Sequence, residues 1–360
     1  MRLAFLTATP LDVIRGSGTF SGISTLARAL RKLGCEIHFF TPEVRLPVFT
    51  LERLWFNEQL RRRDFSGFDA VVGFDMDGYR VRSGRPHVAS IKGVIADEAR
   101  FERGLTRRTM LIQAACERAH VHRAGAVITT SRYAAGRIRE LYGLAKEPQV
   151  VPELIDLDLW RELFARNPAA PDPRRFTVLT VCRFYRRKRL NVLLEAAARL
   201  RGRVPELELR IVGGGPERRR LHRLAREAGL GETVRWLGDV PQDVLAREYQ
   251  SCDVFCLPSV QEGFGIVFLE AMAAGKPIVA ARAAAAPEVV PHGLLVEPEN
   301  AGALADALFQ LRNDGRMRAA LAEAGLETVR QYDAPRVARL FLDALGAARS
   351  EEHTSELQSR

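Results

Sequence analysis

Short apolar stretches bounded by turn residues recur along the whole chain, beginning with Arg2-Leu-Ala-Phe-Leu-Thr-Ala8. Such runs read as strands buried on both faces, and apolar positions spaced three to four apart between them read as helices. On this pattern strands are predicted at 2–8, 35–41, 69–74, 87–91, 126–130 and 149–151, with helices at about 20–33, within 50–63, at about 104–122 and at 132–142. The second half repeats the alternation. Strands fall at 176–182, 207–212, 233–237, within 249–259, at 277–281 and at 293–296, and helices at 189–201, 216–228, 241–250, 300–312, 315–331 and 334–347. Strand and helix in turn imply an α/β chain built from doubly wound, Rossmann-like parallel sheets. The most proline-rich stretch, Asn167-Pro-Ala-Ala-Pro-Asp-Pro173, predicts an extended linker at 167–175, between a first domain of 1–166 and a second of 176–333.

Composition narrows the classes. With 360 residues and 47% apolar content the chain can fill two cores. It contains no run of eighteen apolar residues, and its first strand is too soon broken by Pro10 and Asp12 to read as a signal peptide, so a cytoplasmic protein is expected. Cys35, Cys116, Cys182, Cys252 and Cys256 form no C-x-x-C and lie mostly in apolar runs, which predicts reduced core thiols and no zinc or redox site. A formal charge of +10 favours anionic partners such as nucleotides, lipid phosphates or acidic glycans. Nucleic acid is disfavoured, because basic residues are interleaved with acidic ones and no recognition motif is present. Residues 349–359 read like the in-frame translation of a sequencing adapter, and 349–360 are set aside as an expected artefact.

The richest chemistry lies in Glu262-Gly-Phe-Gly-Ile-Val-Phe-Leu-Glu270, which brackets a predicted helix start with two carboxylates. Gly263 and Gly265 permit a tight turn, and the amides of the first turn, Phe264, Gly265, Ile266 and Val267, can face a diphosphate. Glu270, about one turn further in, can accept hydrogen bonds from the vicinal hydroxyls of a ribose, while Glu262 is expected to be free to meet a sugar. Taken alone, the pair favours a plainer reading, with Glu262 as a helix cap and Glu270 as a solvated surface charge. Its place on a strand-loop-helix-strand unit favours the ligand, since open α/β sheets bind at the carboxyl ends of their strands.

Here the chain resembles the retaining GT-B glycosyltransferases of family 4, whose signature is E-x-F-G-x-x-x-x-E. The resemblance implies two Rossmann-like domains facing a cleft, with the last helix, 334–348, crossing back to the first domain. It also implies roles. Arg183 and Lys188 match the Arg and Lys of G-R-x-x-x-x-K-G that grip the leaving diphosphate, although Cys182 and Arg189 stand where glycine is usual. Gly213 and Gly214, in Ile211-Val-Gly-Gly-Gly-Pro216, are candidate donor contacts, as are Gly16 and Gly18 after the first strand. That first loop is not the dinucleotide fingerprint, because Ser21 replaces its third glycine, so a dehydrogenase is disfavoured.

Lys92 occupies the position where many members carry a reaction-centre histidine. It is read as a catalytic candidate alongside Arg183, Lys188 and Glu262, with a plain surface charge weighed evenly against that role. Asp97 and Glu98 are acceptor candidates. Asp75-Met-Asp77 has the D-x-D form of a metal clamp but is expected to be an acceptor-side loop, with no metal and no cofactor. His120 and His122, two apart on a helix, face different ways and make no metal site. Residues 100–118 carry basic and apolar side chains at helical spacing, which reads first as an ordinary amphipathic helix packed on the sheet; the alternative is a patch that touches anionic lipid or a lipid-linked acceptor, with peripheral contact at the inner membrane face.

The function this implies is metal-independent transfer of a hexose, with retention, from a nucleotide-diphosphate sugar to a hydroxyl of a glycan, lipid or small molecule. UDP is expected first, with GDP and ADP as alternatives. A nucleotide-sugar epimerase of the same fold, or a non-catalytic protein that binds a glycan or partner, are the competing readings.

Overall fold

A computed structural model describes residues 1–9 and 18–358. The chain forms two compact units, one of Met1–Leu154 with Ala334–Arg360 and one of Ile155–Asp333. The first holds β1 (Arg2–Leu6), α1 (Gly18–Lys32), β2 (Glu36–Phe40), α2 (Phe49–Leu60), β3 (Ala70–Phe74), β4 (His87–Ile91), α3 (Ile95–Glu98), α4 (Gly104–Arg123), β5 (Ala126–Thr129), α5 (Arg132–Tyr142) and β6 (Gln149–Val150). The second holds α6 (Leu157–Arg166), β7 (Phe176–Val181), α7 (Leu190–Leu200), β8 (Leu207–Val212), α8 (Arg218–Glu227), β9 (Val234–Gly238), α9 (Gln242–Ser251), β10 (Val254–Leu257), α10 (Ile266–Ala273), β11 (Ile278–Ala281), α11 (Ala286–Val289), β12 (Leu294–Val296), α12 (Ala301–Asn313) and α13 (Gly315–Val329). The last helix, α14 (Ala334–Gln358), belongs to the first unit. There Val337, Ala338, Phe341 and Leu345 join the core around Phe5, and the Phe5 and Phe341 rings meet edge to face at 6.4 Å.

Each unit is a doubly wound, Rossmann-like domain with one six-stranded sheet whose paired strands are parallel, ordered β2-β1-β3-β4-β5-β6 in the first and β12-β11-β10-β7-β8-β9 in the second. Helices cover both faces of such sheets, and β3, β4, β7, β10 and β11 are accordingly buried from end to end. This is why they read as unbroken apolar runs. Helix starts follow local chemistry: Ser131, Asp156, Asn300 and Asp314 each cap a helix by accepting a hydrogen bond from the amide three residues on.

The structure divides the chain between Leu154 and Ile155. The stretch 167–175 is held within the second unit, where Gln250 donates to the Phe164 carbonyl (3.1 Å) and accepts from the Ala169 amide (2.9 Å). Proline content marked it as irregular, which it is, with a turn at 173–174, and said nothing about what it packs on. Helix α6, unforeseen in the sequence, explains the shift: Asp156 caps it, and its Trp160 packs edge to face on Tyr249 of α9 at 5.8 Å.

The polar interior of the first unit is unusual. Asp77, just past β3, is fully buried; it accepts from Arg53 of α2 through both carboxylate oxygens (3.1 and 3.0 Å), from Asn57 (3.1 Å) and from the Ala8 amide beyond β1 (2.7 Å). Asp75 accepts from the Lys92 amide (2.8 Å), and desolvation pushes its carboxyl up to about 6. His87 and His120 touch through their Nε2 atoms at 3.1 Å, and burial lowers both, His120 to about 4, so the pair is neutral near pH 7. The D-x-D segment is therefore an internal strut between β1, β3 and α2, which corrects its reading as an acceptor-side loop.

Removing one partner of a buried ion pair strands the other. Asp77→Ala is expected to destabilise the first unit by about 3–5 kcal/mol, and Asp77→Ala with Arg53→Met to recover most of that loss. Urea unfolding of the two variants measures both, and equal losses would show that the charge pairing is not what holds these elements.

Candidate active site

The second sheet changes direction at β7. From there the chain proceeds outward through β8 and β9, then returns to the other side of β7 to lay down β10, β11 and β12. The loops that leave β7 and β10 thus emerge side by side at the carboxyl edge, the switch point where α/β sheets bind ligands. They are stitched together. The Arg187 carbonyl accepts from the Val260 amide (2.9 Å) and from the Ser259 hydroxyl (3.1 Å). Across that seam Lys188 Nζ lies 2.5 Å from Glu262 Oε1, with both side chains largely buried.

Two residues read from separate motifs are therefore partners. Glu262 is held by an ammonium, a correction to its reading as free. Arg183 is turned toward Asp239 beyond β9, at 3.4 Å, and remains more than one-third exposed. Lys188 sits on a tight 3-10 turn, Arg186–Lys188, that ends in Arg189 at φ 52°. This left-handed position is where the resembling family carries glycine. In this chain the guanidinium of Arg189 braces the turn by donating to the Arg186 carbonyl (2.9 Å) and pairing with Glu299.

Helix α10 starts at Ile266, two residues later than the sequence predicts, with Gly265 as its N-cap at φ 95°. A Cβ on Gly265 would stand 2.6 Å from the Phe268 ring. Phe264 lies outside the helix, buried, with its ring against Tyr332 (5.4 Å). Among the described residues no side chain caps α10, so the amides of Ile266 and Val267 open its positive end toward the switch point. Glu270 follows about a turn later, buried; its Oε2 accepts from the Tyr249 hydroxyl at 2.7 Å. Burial raises the Glu270 carboxyl to about 7, against the smaller lowering effect of that hydrogen bond.

The third loop of this edge, after β8, packs tightly on the first. Gly213, at φ 114°, donates its amide to the Gly238 carbonyl (2.7 Å), and a Cβ there would lie 2.1 Å from the Cys182 carbonyl oxygen. Its amide is thus taken by the protein, and close approach of two loops is what requires glycine. Gly214 accepts from the Phe184 amide (2.8 Å) and lies beside Asp239.

In the first unit Gly16 lies outside the described residues, and Gly18 is the first residue of α1. Lys92, after β4, is no surface charge: its ammonium is buried 3.1 Å from Glu153 Oε1, beyond β6. Glu153 Oε2 has no hydrogen-bond partner among the described residues and lies against Gly22 of α1. Asp97 is a structural hub, buried and accepting from Tyr133 (2.6 Å), Arg137 (3.0 Å) and Arg100 (3.1 Å), so its oxygens are not presented to an acceptor. Glu98, at the end of α3, is half-buried against Gly93. Sequence reasoning missed Glu153, Tyr249 and Asp239. They are distant in the chain from the residues they hold, and no local spacing announces them.

Two family models match the chain, Glycosyltransferase Family 4 over residues 16–159 and Glycosyl transferases group 1 over residues 162–328. The GDP-mannose-dependent alpha-(1-6)-phosphatidylinositol monomannoside mannosyltransferase of Mycobacterium tuberculosis is 34% identical over 220 residues, 56% of this chain and 56% of that protein. The D-inositol 3-phosphate glycosyltransferase of Corynebacterium urealyticum is 38% identical over 173 residues, 45% of this chain and 41% of that protein. The matches thus span about half the length of these curated relatives. Among solved structures, sucrose-phosphate synthase from Thermosynechococcus elongatus superposes with a TM-score of 0.83 at 23% identity, covering 96% of this chain and 100% of that one. A glycosyltransferase involved in lipopolysaccharide biosynthesis gives 0.72 at 19% identity, covering 96% and 99%.

Glu270 makes stability depend on pH in a definite direction. Its neutral form is favoured in the fold, so its full contribution is present below its ordinary value of 4.5 and is lost as the pH climbs to about 7. Glu270→Gln keeps an acceptor for Tyr249 without the charge. It is expected to raise the melting temperature at pH 8 and change it little at pH 4.5; a gain of equal size at both pH values would show that burial does not disfavour the carboxylate.

Proposed function

The chain belongs to the glycosyltransferases of family 4 and group 1, and from that premise we propose that it transfers a hexose from a nucleotide-diphosphate sugar to a hydroxyl of a glycan, lipid or small-molecule acceptor. The observation that carries the reading is the Lys188–Glu262 pair at the switch point, beside the uncapped start of α10. A donor diphosphate would meet the ammonium of Lys188, the guanidinium of Arg183 and the amides of Ile266 and Val267. All three stabilise negative charge as the bond between the sugar and the phosphate breaks. Glu262 holds Lys188 in the resting protein, and Glu270 would accept from the ribose hydroxyls of the bound donor.

In the proposed reaction the anomeric carbon exchanges its bond to phosphate oxygen for one to the acceptor oxygen on the same face. The acceptor's proton passes to the departing phosphate, which yields retention with no protein nucleophile. For the donor base, relatives named for GDP-mannose outweigh the general expectation of UDP. A GDP-hexose is the proposed donor. Inositol-bearing acceptors deserve the first trial, because both named relatives carry inositol in their names.

Melting curves with GDP, UDP and ADP sugars test the donor, since a ligand that binds only the folded chain raises its melting temperature. GDP-mannose is expected to give the largest shift. Lys188→Ala is expected to slow nucleotide release in the presence of acceptor by roughly a hundredfold or more, with the fold retained. Ribose hydroxyls favour the Glu270 carboxylate, so donor affinity is expected to rise between pH 6 and 8 in the wild type and to stay flat in Glu270→Gln. Wild-type release rates in Lys188→Ala would sink the assignment of this site.

A further inference from the structure

Helices α2 and α4 bury polar as well as apolar side chains and leave large apolar ones in water. An ordinary surface helix buries its apolar face and shows its polar one to water. Helix α2 buries Thr50, Glu52, Arg53 and Asn57 along with Phe56 and Leu60, and exposes Phe49, Leu51 and Trp55, the last two more than half exposed. Helix α4 likewise buries Gln113, Glu117 and His120 along with Ala114 and Val121, and exposes Leu105, Leu111 and Ile112, with Leu105 76% exposed. The two helices are neighbours through their buried polar faces: Gln113 of α4 donates to Thr50 Oγ1 (2.7 Å) and accepts from Arg53 (3.2 Å). Most of the large exposed apolar side chains among the described residues lie on these helices and on the loop that enters α2, with Val44 and Val48. Clustered apolar exposure of this kind marks an interaction surface.

Charge selects the partner. The acids beside the patch are already matched: Glu43 pairs with Arg63, Glu52 with Arg45 and Glu58 with Arg80. Arg103, Arg107 and Arg108, by contrast, enter no ion pair among the described residues, and α4 has no acid in its first turn. Uncompensated arginines thus border the exposed Leu105, Leu111 and Ile112 of the same helix, which packs on α2 with its exposed Leu51 and Trp55. We propose that this face of the first unit docks onto an anionic lipid bilayer, with Leu51, Trp55 and Leu105 entering the boundary between headgroups and chains while Arg103, Arg107 and Arg108 meet lipid phosphates. Tryptophan favours that boundary, and basic side chains beside it add electrostatic attraction. The inference stands on the surface itself and does not depend on which sugar or acceptor the chain uses.

Co-sedimentation of the full chain with phosphatidylcholine vesicles containing about 30 mol% phosphatidylglycerol, against vesicles of phosphatidylcholine alone, tests it. The wild type is expected to bind the anionic vesicles and to release them as salt rises from about 50 to about 500 mM. Its tryptophan emission should shift to the blue on binding, a shift absent in Trp55→Phe. Arg107→Glu with Arg108→Glu should remove the preference for anionic vesicles. Leu51→Ser with Leu105→Ser should weaken binding roughly tenfold at an unchanged melting temperature. Failure of the wild type to sediment, or equal binding by all variants, overturns the proposal. So does a dimer in light scattering that Leu51→Ser with Leu105→Ser dissociates, because a second copy would then be what covers the patch.

Discussion

A parallel sheet covered on both faces leaves its strands few ways to meet a ligand. The faces are filled by helices, and the strand interiors have satisfied their backbone groups with one another. What remains is the carboxyl edge, and within that edge the strand order selects a place. In the second unit β7 lies between β8 and β10, so the chain leaves β7 and β10 toward opposite sides of the sheet and their loops meet at the carboxyl edge. Lys188 and Glu262 occupy those two loops. In the first unit the same reversal falls between β1 and β3, where Asp77 fastens the two strand exits by accepting from the Ala8 amide.

Charges at such an edge are partly withdrawn from water, and each needs a partner. The structure meets the need with pairs that tie a strand exit to a distant segment: Lys92 with Glu153, Lys188 with Glu262, and Asp77 with Arg53 of α2. A pair of this kind adds little net stability over well-packed apolar residues, but losing either member is costly. Its consequence here is geometric, since each pair fixes the relative position of segments far apart in sequence. The Lys92–Glu153 pair also settles what the ammonium is doing in the resting protein: it is neutralised, and any part it takes in chemistry is shared with Glu153.

Much of the fold was legible because periodicity and burial report the same physics. The all-buried strands announced themselves as apolar runs, and the helix at 132–142 was found to the residue because Ser131 caps it and Gly143, at φ 69°, ends it. Pairing across the fold was less legible. Glu262 to Glu270 is a local spacing and could be read, whereas Glu153 and Tyr249 act on residues 61 and 21 positions away and carry no signature of their own. The proline-rich stretch misplaced the boundary for a related reason, because its partner, Gln250, is 81 residues on from Ala169. The exposed apolar side chains of α2 and α4 were not legible, since a helix that buries arginine and shows tryptophan has the same periodicity as one that does the reverse.

The two carboxylates of the motif show why spacing alone underdetermines chemistry. In sequence Glu262 and Glu270 are equivalent, an acid on either side of a helix start. In the structure one lies against an ammonium and the other against a phenol in an apolar interior. The first is fixed by its contact with Lys188 across two loops. The second is held up to about 7 by burial, poised between neutral and charged at the pH of a cell. Donors of hydrogen bonds, such as the hydroxyls of a ribose, would draw it toward the carboxylate, so its charge would form as the ligand binds. Two like groups pushed apart in this way can take separate duties, one organising the basic half of the site and the other registering the sugar.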